Sequence, residues 1–205
     1  MPVIVKRALF TGGLSALSYQ GIMNSSLSLW LKNQDFEPNM VFHGMGAITG
    51  AVLLQAARWS WEPFVAPWLG VWTDRNQHRV PTLKYTLLLA MILFILIPLP
   101  IPTPFWFLIA VGLLLSATVV TTLLDAEISA VASMINQRQA IVAAYTTTVD
   151  IGAGFGPLIG YFTLQWFDSS IVCWIAALFL AISVVVWSQK NQFHDNNLRE
   201  KGISL

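Results

Sequence analysis

TTTVDIGAGFGPLIGY, residues 146–161, admits three readings: a phosphate-cradling loop, a proton site in an apolar medium, or a helix shaped to touch another helix. The loop reading fails first. No Gly-Lys-Ser/Thr follows, the glycines do not fall as GxGxxG, and no strand pattern precedes them. Gly152, Gly156 and Gly160 instead recur every fourth residue, which places them on one helix face where a second backbone can approach closely. Pro157 removes one backbone hydrogen bond and can bend that helix. The surrounding stretch, 139–166, exceeds the roughly 20 residues needed to cross a hydrocarbon core.

Working outward, the composition agrees with a membrane setting. The chain of 205 residues is 56% hydrophobic and 10% charged, with nine Trp and twelve Phe. An ordinary soluble domain carries about 25% charged residues. The net charge of +1 offers no field for nucleic acid. The lone Cys173 lies in an apolar run and can form neither an internal disulfide nor a multi-cysteine metal site. Met1 leads through Lys6 and Arg7 directly into a long apolar segment, without the short core and small-residue cleavage site of a signal peptide, so the first helix is expected to stay in the mature chain.

Six stretches are long and apolar enough to span: 8–31, 41–73, 82–101, 104–125, 139–166 and 170–189. KNQDFEPN, DRNQHRVP and PLPIPTP connect the first four, and AEISAVASMINQR (126–138) connects the fourth to the fifth with room for a short interfacial helix. Residues 190–205 form a polar tail. If both termini share one side, that side collects Lys6, Arg7, Arg75, Arg79, Lys84, Arg138, Lys190, Arg199 and Lys201, whereas the other collects only Lys32. Basic residues favour the cytoplasmic side, so both termini are expected there, in a plasma (inner) membrane.

The spans differ in polarity. The third and sixth are almost wholly apolar, as lipid-facing helices should be; the first and fourth are rich in Ser, Thr and amides; the second and fifth hold internal charges and small residues. The order polar, charged, apolar occurs twice, which suggests a 3+3 repeat of a kind found in transporters. The expected fold is an all-α membrane protein, a six-transmembrane-helix bundle.

Two motifs sharpen this expectation. GVWTDRNQHR carries Gly70, Asp74, Arg75 and Arg79, and resembles the Gly-x-x-x-Asp-Arg-x-Gly-x-Arg signature of the major facilitator superfamily, with Gln77 where the family prefers glycine. GAGFGPLIGY, through Gly152, Gly156, Pro157 and Gly160, resembles the Gly-x-x-x-Gly-Pro-x-x-Gly motif of the same superfamily's fifth helix. The resemblance covers nearly the whole chain but only half of the usual twelve-helix transporter, and the wording of the first two spans is most similar to the carboxy-terminal half. It implies that Asp74 approaches a helix N-terminus in another half, where exposed N–H groups and the helix dipole favour a carboxylate. A basic loop that only anchors topology, and a glycine helix that only packs, are the plainer readings of the two motifs.

The intramembrane charges are Arg58 and Glu62, one helical turn apart on the second span, and Asp150 on the fifth. Glu62 and Asp150 each lie about 16 Å from the cytoplasmic end of their helix at 1.5 Å per residue. A charge at that depth costs about 2.5–3.5 kcal/mol on insertion scales, so it should face protein or water. Gln20 and Asn24 on the first span join these three as candidates for a solute or proton site. A self-neutralising Arg58–Glu62 pair and a helix-fastening Asp150 are the structural alternatives, and Asp125 and Glu127 read as solvated. His43, His78 and His194 have no companions at metal spacing, and no nucleophile has a base at usable spacing, so neither a metal, a cofactor nor an enzyme is expected.

The resemblance implies alternating-access transport of a small solute, energised by a proton or ion gradient, with lipid and a second six-helix half, either another copy or a separate chain, as partners. A truncated or split half that binds a partner without transporting is the competing expectation.

Overall fold

The computed structural model describes residues 2–33, 46–76, 78–134 and 138–189, and among these every element is helical. The elements are α1 (Val3–Ala16), a π-helical segment (Leu17–Met23), α2 (Asn24–Asn33), α3 (Ala47–Asn76), α4 (Arg79–Leu96), α5 (Thr103–Ser133), α6 (Arg138–Trp166) and α7 (Ser169–Ser188). The expected tail 190–205, the beginning of the second span before residue 46, His43, Gln77 and the side chain of Asp74 lie outside the described residues.

Among the described residues three helices, α4, α5 and α7, are long and apolar enough to cross a membrane. The first rod, α3 and α6 are long as well, but each is diluted by the polar and charged residues that the sequence places there. At 1.5 Å per residue, the 30 residues of α3 reach about 45 Å.

α1, the π segment and α2 run on without a break as one rod. A π turn holds an extra residue, so it rotates the faces of α2 relative to α1, and such turns gather at functional places. Ser15 and Ser18 give their hydroxyl protons to the carbonyls of Thr11 and Leu14, at 2.6 and 2.9 Å, on the approach to the wide turn. Nothing in the hydrophobic pattern announced this turn.

The rod packs most closely along α6; α3 packs on α5, and α4 on α7. The rod also crosses α5 and α7, while α3 and α6 have no substantial contact with each other. α4 offers Leu83, Leu87, Ala90 and Phe94 as one buried stripe at helical spacing. Trp187 donates to Thr11 at 2.8 Å, which ties the end of α7 to α1. Trp106 donates to the Ile97 carbonyl at 3.1 Å and fastens the proline-rich turn between α4 and α5.

The glycines of the opening stretch lie in the crossing of α6 with the rod. A Cβ at Gly156 would collide with the backbone of Gly21 and Leu17, and one at Gly152 with the backbone of Gly13. At Gly160 the nearest atom would be Ser25 Oγ at 3.1 Å. The helix backbones touch here, which only glycine on both sides permits.

One expectation is corrected. The connection 126–138 does not begin with a separate interfacial helix: α5 continues unbroken to Ser133. Its residues AEISAVAS contain no glycine or proline, so the backbone has no reason to stop.

Candidate functional site

Four elements converge on a cavity of about 210 Å³ inside the bundle. The rod contributes Gly12, Ser15, Ala16, Gln20 and Asn24; α3 contributes Arg58, Trp59 and Glu62; α5 contributes Thr121 and Asp125; α6 contributes Tyr145 and Val149. Gln20 belongs to the π segment and Asn24 directly follows it.

α3 is held on both sides of this space. Gln55 donates to Asn24 Oδ1 at 2.6 Å, linking α3 to the rod, and Trp61 donates to Thr118 at 3.4 Å, linking it to α5. Pro63 and Pro67 lie inside α3. Each lacks the N–H that would bond the carbonyl one turn earlier, so Trp59 and Pro63 are left with carbonyls free of their usual helical partner. Tyr19 and Ser116 share a hydrogen bond at 2.9 Å and fix the rod against α5.

The charged groups are arranged unlike the expected self-neutralising pair. Arg58 is only 3% exposed, and its Nε–H has no partner. Glu62 buries Oε2 without a partner as well. Among the described residues the two form no ion pair or hydrogen bond with each other, although they stand one turn apart. The Arg58 guanidinium carbon lies 5.8 Å from the Trp59 ring centre. Asp125 faces the Tyr145 hydroxyl across the cavity.

Arg58, Glu62, Gln20 and Asn24, singled out from the sequence, are therefore brought together. Asp150 is not: it is exposed on the outer side of α6, and its neighbour Val149 takes the cavity position. Sequence reasoning passed over Tyr145 and Trp59; Thr121 belongs to the Ser- and Thr-rich fourth span, and Asp125, read as solvated, is exposed yet lines the cavity.

The GVWTDRNQHR motif has a local role for one member. Arg79 Nη1 lies 4.0 Å from Glu127 Oε2 and donates to the Ala126 carbonyl at 3.4 Å, so the start of α4 is clasped to α5. Glu127, read as solvated, is thereby a partner, with the two side chains 25% and 14% exposed. Arg75 is exposed near the end of α3, and the space around Gly70 is open. No model of a known protein family matches the chain, and no curated protein matches it.

Proposed function

We propose that the chain is one six-helix half of a transporter of the major facilitator type, and that it moves a small solute across a plasma membrane by alternating access, both termini being cytoplasmic. The observation that carries this reading is the cavity: Arg58, which is buried, and Glu62, Asp125, Gln20 and Asn24 line one space in a bundle that includes membrane-length apolar helices. Ionisable groups at such depth mark solute and ion pathways more often than they mark stability.

The packing supports the 3+3 arrangement. Exchanging the first three spans for the last three turns the rod–α6 contact into the α5–α3 contact, and the rod–α7 contact into α5–α4, while rod–α5 and α4–α7 map onto themselves. All of these contacts are present. The rod and α5 then line the cavity, α3 and α6 flank it, and α4 and α7 stand on the outside.

The outer faces of α3 and α6 favour a second half, which we assign to another copy of the chain or a separate partner. Asp150, Thr146 and Thr147 are exposed on α6, and Ser60 on α3. Lipid offers such groups nothing, and the Asp150 carboxylate alone would cost about 2.5–3.5 kcal/mol on insertion scales. Asp74 and the region of Arg138 are where the two halves would clasp. Cross-linking cysteines placed at those two positions tests the pairing; a chain that remains monomeric in lipid contradicts it. Transport is tested with vesicles under an imposed proton gradient. Uptake that is lost in Arg58→Met supports the proposal, whereas absence of flux from an assembled, folded protein leaves a partner-binding membrane subunit as the reading.

A further inference from the structure

We infer that the solute is a small amino-carboxylate zwitterion, its carboxylate received by Arg58 and its ammonium by Glu62; this rests on the transport reading above and names its substrate class. The inference starts from two orphaned groups with opposite needs. Arg58 Nε–H is buried and lacks an acceptor, and Glu62 Oε2 is buried and lacks a donor. Both residues line the same cavity. A buried polar atom without a hydrogen-bond partner is costly, and here two complementary ones stand a helical turn apart without an ion pair between their groups.

Ligand classes separate on that pattern. An anion would satisfy Arg58 but would be pressed against Glu62 and Asp125. A cation would satisfy Glu62 and leave the Arg58 Nε–H without an acceptor. A neutral polyol would supply dipoles to both groups and charge to neither. An amino-carboxylate supplies a planar acceptor that fits a guanidinium fork and a donor cation that fits a carboxylate. Asp125 does not compete for the ammonium on equal terms, because the Tyr145 hydroxyl already faces it.

Size and lining agree. The cavity of about 210 Å³ matches the space of about seven waters at ~30 Å³ each, which admits an amino acid with a small side chain. Ala16, Val149 and the ring of Trp59 supply apolar wall for that side chain.

The test uses the full chain in lipid nanodiscs and calorimetric titration with L-alanine, propionate, ethylamine and glycerol. L-alanine is expected to bind at least about 30-fold more tightly than either half-ligand, since each lacks one of two buried charge partners. Arg58→Met should abolish the preference for L-alanine over ethylamine, and Glu62→Gln the preference over propionate. The wild-type ligand series decides the matter even if a variant does not fold. Propionate, ethylamine or glycerol binding as tightly as L-alanine, or L-alanine failing to bind, overturns the inference. If L-alanine binds but does not cross vesicle membranes, the transport reading fails and the site stands. If the vesicles move another solute with which L-alanine does not compete, the site assignment fails and the transport reading stands.

Discussion

Replacing Gly156 by alanine should loosen the bundle, whereas the same replacement at Gly154, two residues away on the same helix, should not. A Cβ at Gly156 would lie inside contact distance of the Gly21 backbone and the Leu17 carbonyl. Those atoms cannot rotate away as a side chain can, so α6 and the rod must separate along their crossing. Overpacking of this kind costs about 1–3 kcal/mol, and collision with backbone argues for the upper half of that range. For a chain of this size, about 2–3 kcal/mol corresponds to a fall of roughly 5–10 °C in melting temperature. Around Gly154 there is open space, and exchange of an interior helical glycine for alanine is favourable by about 0.5–1 kcal/mol. Gly160→Ala should fall between them, because the closest atom its Cβ would meet is a side-chain oxygen, Ser25 Oγ at 3.1 Å. Thermal unfolding in detergent, followed by size-exclusion chromatography, ranks the three. Equal melting temperatures for Gly156→Ala and Gly154→Ala would refute the backbone-contact reading of the motif.

Other contacts give smaller, separable effects. Thr11→Val should destabilise by about 1–3 kcal/mol in thermal unfolding, because it strands the Trp187 indole donor now held at 2.8 Å. Tyr19→Phe removes one buried hydrogen bond to Ser116 and should cost about 1 kcal/mol by the same measurement. Glu127→Gln weakens a partly exposed clasp to Arg79, and a change above about 1 kcal/mol would show the clasp is stronger than surface ion pairs allow. Asp150→Asn should leave ligand affinity in the cavity unchanged, since Asp150 does not line it, while raising the fraction of monomer or partner exchange if its outer face is covered in the assembly.

The sequence carried the helices well where apolar length was the signal, as in α4 and α7, whose stripes recur at regular spacing. It carried the glycine crossing because four-residue spacing has a direct geometric meaning. It did not show where α5 ends, because AEISAVAS is compatible with helix or interfacial connection alike and only packing decides. The π turn at Leu17–Met23 was equally hidden, since an inserted residue leaves no mark on composition. For the site, depth along a helix marked Arg58, which is buried, and Glu62, which is half-buried, but depth says nothing about rotation. Asp150 and Val149 are adjacent, and which of them faces inward depends on the angle at which α6 meets the rod. Tyr145 carried no charge to draw notice, and reached the cavity through tertiary arrangement.

The central claim is that a solute crosses the membrane through the Arg58–Glu62 cavity. The most direct measurement is solute flux into proteoliposomes, with internal contents of a mixed small-solute pool read by mass spectrometry against protein-free vesicles. At least one small solute should accumulate, and accumulation should be abolished in Arg58→Met and Glu62→Gln proteins that insert and assemble like the parent. Accumulation that survives both substitutions, or no accumulation from an assembled parent protein, contradicts it.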